Sequence, residues 1–155
     1  MNDTFLTVSG NVVDEPKLRK TATNGITVAS FRVASTSRRR DAETGDWSDG
    51  DTLFVNVTCW RSMATNVAAS LFKGQPVVVH GRFYSRQYTK DEVTRVTYEL
   101  DAISVGHDLS RGVSSFKKST PAASSNVEVD ADGLPANAAE AIYEAVEPRE
   151  LTSVG

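Results

Sequence analysis

The chain is poor in what most reaction chemistry needs. Its 155 residues hold one cysteine, Cys59, and two histidines, His80 and His107, far apart and without metal-ligand spacing. A lone cysteine closes no intrachain disulfide and builds no multi-thiolate metal site. Cys59 reads as a small apolar core residue, its alternative being a disulfide to a second copy of the chain. There is no carboxylate cluster, no Ser/His/Asp set and no Gly-rich phosphate loop, which argues against an enzyme and against a bound cofactor or metal. The acids at 41–51 lie in one stretch among Gly and Ser and read as solvated. No run approaches the roughly 18 apolar residues of a membrane span. The start, MNDTFLTVSG, has neither a basic flank nor an apolar h-region, so the expected location is cytoplasmic, without membrane contact.

Basic charge is also scarce on average, the net being −3, but the average hides two objects. Residues 1–118 hold 16 Lys+Arg against 13 Asp+Glu, whereas residues 119–155 hold one Arg and seven acids. A mildly basic body and an acidic tail have different partners. With 39% hydrophobic and 24% charged residues, the body suits one globular domain over residues 1–112. From about 120 onward the Ala/Ser/Asp/Glu-rich composition predicts disorder, with a transient helix possible over 136–146. Between them, GVSSFKKS (112–119) is a candidate arm or clamp strand over 113–119.

The body reads as strands. TFLTVSGNVV (4–13) is a first, with Gly10 as a bulge or close-packing point. ITVASFRVAST (26–36) is a second, entered through the turn signal Asn24-Gly25 and turning Ala29, Phe31 and Val33 inward. SRRRDAETGDWSDGD (37–51) has no apolar period and is expected to be a long mobile hairpin loop. DTLFVNVTCWRS (51–62) is the third strand. SMATNVAASLF (62–72) switches to helical spacing through Met63, Val67 and Leu71, and Gly74 ends it. PVVVHGRFYSRQY (76–88), broken by Gly81, and VTRVTYELDAISV (93–105) are the fourth and fifth strands. The order β-β-β-α-β-β is that of the all-β OB-fold, a five-stranded, partly open Greek-key barrel with one short helix.

The third strand poses a question. Val55, Val57 and Cys59 make a core face, yet the wet face carries Phe54 and Trp60 with Asn56 and Thr58. Six residues of strand separate the two rings by about 20 Å, too far for one hydrophobic cluster. Such rings suit stacking of nucleobases, worth roughly 1–3 kcal/mol per base and indifferent to base identity. Phosphates need a cationic track, which Arg32, Arg38, Arg39, Arg40, Arg61, Arg82 and Arg86 offer. In an extended RFYSRQYTK, Arg82, Tyr84, Arg86 and Tyr88 share one face and Phe83 the other. Single-stranded nucleic acid is the ligand that uses this combination. Stacking does not distinguish DNA from RNA, and the same aromatic face could instead serve a protein interface.

FLTVSGNVVDEPKLR, VASFRVASTSRRRDAETGDW, FVNVTCWRSMATNVAASLFKGQPVVVHGRF and SRQYT, taken together over about residues 4–106, resemble the bacterial single-stranded DNA-binding proteins of the replication type. The resemblance implies an OB-fold, a homotetramer of two dimers with single-stranded DNA wrapped around it, and roles in replication, recombination or repair. It also implies four stacking positions per subunit, which fall at Arg39, Phe54, Trp60 and Tyr88. Arg39 stands where the family usually has a ring. A guanidinium plane also stacks and carries charge, and Trp47 in the same stretch offers a partial substitute. The family's acidic tip with an apolar end, bound by partner proteins, has no match in the closing PRELTSVG. The chain therefore resembles a specialised second copy rather than the housekeeping one.

Overall fold

The computed structural model describes residues 2–120. The disorder expected beyond 120 and the candidate helix at 136–146 lie outside the described residues. Strands β1 (Thr4–Val12), β2 (Lys17–Lys20), β3 (Thr27–Arg40) and β4 (Trp47–Trp60) precede helix α1 (Ser62–Ser70), and β5 (Pro76–Lys90) and β6 (Val93–His107) follow it. The sheet runs β1-β5-β6-β4-β3-β2, and a β1–β3 pairing closes it through Asn11↔Ala34 and Val12↔Val33. β4 and β6 pair in parallel at Asn56↔Glu99, Val57↔Leu100 and Thr58↔Asp101, and the other pairings are antiparallel. This is the five-stranded OB barrel, with β2 as a short extra edge strand.

Alternation fills the barrel. Val12, Val28, Val33, Val55, Val57, Val77, Val79, Cys59 and Leu100 are completely or almost completely buried. β-Branched side chains dominate because they pack well on a pleated surface. Ala29, Phe31 and Val33 point inward as expected, and α1 caps the interior with Ala64, Val67 and Ala68. Burial pushes the Cys59 thiol up to about 12, so it is an inert core group that no second copy can reach in this fold.

Glycines permit the tight closure. A Cβ on Gly10 would lie 2.4 Å from the Ala34 carbonyl oxygen where β1 crosses β3, so close packing is its role. A Cβ on Gly81 would lie 2.1 Å from the Asp101 oxygen. Gly81 does not break its strand. The register shifts by one between His80 and Gly81, and β5 runs unbroken to Lys90.

Two expectations need correction. The stretch 37–51 is no irregular loop: β3 and β4 stay paired out to Arg40↔Trp47, forming a ribbon closed by a turn at Asp41–Asp46. In that turn Asp41 N–H donates to Asp46 and its side chain accepts from the Glu43 and Thr44 amides at 2.8 and 2.9 Å. These bonds hold the turn without any burial. The Asn24-Gly25 signal holds: it lies in a turn of the same kind that joins antiparallel β2 and β3, with Thr21 N–H donating to Ile26 and Gly25 at φ 63. At the far end, β5 and β6 extend to Lys90↔Val93 with Asp91 and Glu92, both at positive φ, as the whole turn. β2 was not anticipated, because its four residues bury only Leu18.

Residues 108–120 form no strand. They fold back on the body: His107 Nδ1 lies 2.8 Å from Ser114 Oγ, Arg111 donates to Asn11 and Asn66 to Ser119.

Candidate nucleic-acid interface

Every second residue of β4 between Thr52 and Trp60 faces outward, and the register lines these up with neighbours from four other strands. One row across the sheet reads Arg32–Asn56–Glu99–Tyr84, and the next reads Lys17–Ser30–Thr58–Asp101–Arg82. Apart from Arg82, these rows line an open groove of about 410 Å³ together with Trp60, Arg86, Arg19, Asp14 and Glu15. Trp60 and Phe54 stay 41% and 49% exposed, although either could have been sealed by a neighbouring loop.

The site residues anticipated from sequence fall into three places. Arg32, Trp60, Tyr84 and Arg86 line the groove itself. Phe54 and Arg82 adjoin it. The Arg32 guanidinium lies over the Phe54 ring at 5.4 Å, and that of Arg82 over Tyr84 at the same distance. Arg38, Arg39, Arg40 and Tyr88 stand away from it on the two ribbons, Tyr88 opposite Arg95 on the same face as Arg82, Tyr84 and Arg86. Arg61 closes the row at the β4–α1 junction, exposed and at φ 57, a left-handed conformation that non-glycine residues seldom adopt. It is fixed by its N–H donating to Thr27 and its carbonyl accepting from Ala64.

Lys17, Arg19, Asn56, Thr58 and four carboxylates were missed. The groove lining balances four cations, Lys17, Arg19, Arg32 and Arg86, against Asp14, Glu15, Glu99 and Asp101. Several arginines already hold carboxylates: Arg82–Asp101 at 2.8 Å, Arg39–Asp51 at 3.1 Å and Arg32–Asp14 at 3.5 Å. The Arg82 guanidinium is held charged by its hydrogen bond and attraction to Asp101. Glu99 accepts from Asn56 Nδ2 and Thr97 Oγ1, which orients the amide beside the rings. Cations in such pairs must exchange partner to meet a phosphate. The arginines without a carboxylate partner among the described residues are Arg19, Arg38, Arg40, Arg61, Arg86, Arg95 and Arg111. Most of the uncommitted charge therefore sits around the groove and on the ribbons rather than on its floor.

Among the described residues there is no group of three or more His, Cys, Asp or Glu able to hold a metal. No described helix is long and apolar enough to cross a membrane. What the arrangement offers is an OB barrel with uncovered rings beside guanidinium groups, which defines the class of oligonucleotide-binding barrels.

Comparison narrows the class. Residues 1–108 match the single-strand binding protein family, and the chain belongs to it. Relatives include "Single-stranded DNA-binding protein 2" of Streptomyces coelicolor, 45% identical over 76% of this chain and 59% of that protein. The protein of the same name from Streptomyces avermitilis is 45% identical over 76% of this chain and 73% of its own length. The solved small single-stranded DNA-binding protein of Streptomyces coelicolor is 41% identical. It superposes with a TM-score of 0.66 over 72% of this chain and all of that one. The second single-stranded DNA-binding protein of Mycobacterium smegmatis gives 0.56 at 36% identity, over 76% of this chain and all of that one.

Proposed function

We propose that this chain binds and protects single-stranded DNA without sequence preference, in replication, recombination or repair, by stacking bases on Phe54, Trp60 and Tyr88 and meeting phosphates with its arginines. The observation that carries the reading is the open groove in which Trp60, Tyr84, Arg32 and Arg86 come together on one sheet face. Stacking on a ring tolerates any exposed base, because every base has a π-face. Phosphate contacts make the binding salt-dependent. The family and the relatives' names support the same reading.

The working unit we infer is a homotetramer of two dimers in the cytoplasm. Support comes from apolar surface that one chain leaves open: Phe5, Ile103, Val113 and Phe116 are 54%, 55%, 102% and 90% exposed. In such an assembly 113–119 acts as an arm between subunits.

The test is polarisation of a labelled oligo-dT titrated with the protein over a range of salt. Binding is expected, with a log–log slope of about −0.7 per phosphate neutralised. Competition by poly-U as strong as by poly-dT of equal length would move the assignment to RNA, and no binding would remove it. Light scattering behind size exclusion reads the subunit number.

A further inference from the structure

We propose that Trp47, with the Arg38 guanidinium over its ring, is an additional base-stacking site on the β3–β4 ribbon. This rests on the proposed binding of single-stranded DNA and extends its path beyond the groove.

The argument is one of register. Along β4 the outward residues are even-numbered, from Trp60 to Thr52, so Trp47 should turn away from them. It does not, because the pairing slips by one between Thr36↔Thr52 and Arg38↔Asp49. Ser37 then faces both Gly50 and Asp51, and the extra residue inverts the alternation beyond it. β3 keeps its phase through this point, so Arg32, Ala34, Thr36, Arg38 and Arg40 share one face. Their cross-strand partners Phe54, Thr52, Asp49 and Trp47 share it too. Direct contacts agree on both sides of the bulge. Thr36 and Thr52 join hydroxyls at 2.9 Å, and the Arg38 guanidinium lies 5.9 Å from the Trp47 ring centre. Arg39 and Ser48 occupy the opposite face, where Arg39 holds Asp51.

Trp47 is 59% exposed, more than Phe54, Trp60 or Tyr88, and its ring packs against no core. A guanidinium on one side of an indole leaves the other side free for a base and brings a charge for its phosphate, both on the face continuous with Phe54.

Trp47 and Trp60 are the chain's two tryptophans, so Trp60→Phe leaves Trp47 as the sole indole reporter and keeps a ring in the groove. The full chain carrying Trp60→Phe is titrated with oligo-dT while indole emission and polarisation of the labelled strand are read together. Emission of Trp47 should quench with the same midpoint as the polarisation change. Trp47→Ala in the otherwise native chain should weaken binding about 5-fold or more, whereas Ser48→Ala, on the opposite face, should leave it unchanged. Deleting Gly50 removes the extra residue, turns Trp47 over and should abolish its quenching. Polarisation that shows binding while Trp47 emission stays constant, or a Trp47→Ala affinity equal to that of Ser48→Ala, overturns the site and leaves the groove standing. No polarisation change even with the native chain overturns both.

Discussion

The two ribbons are the outer ends of four of the barrel's five strands, yet different physics holds ribbon and barrel. Within the barrel, one face of β3, β4, β5 and β6 is buried, and each inward valine or leucine contributes the transfer of its side chain out of water. Beyond Thr36, Leu53, Tyr84 and Tyr98 both faces meet solvent almost everywhere. There the strands stay paired through ladder hydrogen bonds, turn geometry and pairs such as Arg38 with Trp47. A region that buries nothing is free to spend its side chains on a ligand. The barrel divides its two faces instead, the buried one fixing the strands and the outward one lining the groove.

Breaking the barrel should therefore have the largest effect and the least specific one. Leu100 is fully buried beside Val57 and Phe83, at the one parallel junction of the barrel. Leu100→Ala should cost about 2–5 kcal/mol of stability, read as a fall in the urea midpoint at unchanged slope. The fraction that remains folded should bind oligo-dT as before. A loss of affinity without loss of stability would mean that the core and the groove are not separable.

Truncating the exposed face should invert that pattern. Trp60→Ala removes a ring that is 41% exposed and should cost roughly 1–3 kcal/mol in binding a single-stranded oligonucleotide. Its stability should change little, since surface substitutions away from special features stay within about 0.5 kcal/mol. A large drop in melting temperature with affinity intact would instead make Trp60 a packing residue.

Charge sharpens the comparison further. Arg86 lines the groove with no carboxylate partner among the described residues, while Arg82 is tied to Asp101. Arg86→Ala should flatten the log–log salt slope by about 0.7, the share of one phosphate on a single strand. Arg82→Ala should flatten it less, because the arginine must first release Asp101. Equal changes would show that the ion pair opens at no cost.

The same contrast explains which parts of the molecule could be read in the sequence. Barrel strands announce themselves because one face is apolar, and Val55, Val57, Cys59, Ala29, Phe31 and Val33 all point inward as their alternation indicates. The four anticipated groove residues follow from the same parity. SRRRDAETGDWSDGD carries no such signal, since a ribbon wet on both faces has no hydrophobic period. Its strand character lay in turn chemistry instead. TATNGI and DAETGD form turns of one kind, each with glycine in the left-handed region, Gly25 at φ 63 and Gly45 at φ 73. Lys17, Arg19, Glu99 and Asp101 could not be placed at the groove, because their arrival depends on cross-strand register, including a parallel pairing between residues 43 positions apart. The bulge at Gly50 is a one-residue matter of register as well, and no composition reveals it.

Titration separates the two regions at the smallest scale. In the barrel, burial alone raises the Cys59 thiol to about 12. On the ribbon, the amides of Thr44 and then Glu43 donate to Asp41 and lower its carboxyl below the ordinary 3.8. The sign follows from the depressed value. The carboxylate's contribution to the turn is present above its unfolded pKa and is lost as pH falls through the lower folded one. From neutral pH down to about 4 the tip should stay as it is. Below that, the Glu43 and Thr44 amide shifts should titrate together with a midpoint under 3.8, while core amides such as that of Val57 stay constant. Asp41→Asn, which retains an acceptor oxygen but no charge, should erase the titration and loosen the tip only slightly. Were the core amides to move with the tip, ribbon and barrel would be one cooperative unit, and the division between a region held by burial and a region held by turn and ladder hydrogen bonds would have to be redrawn.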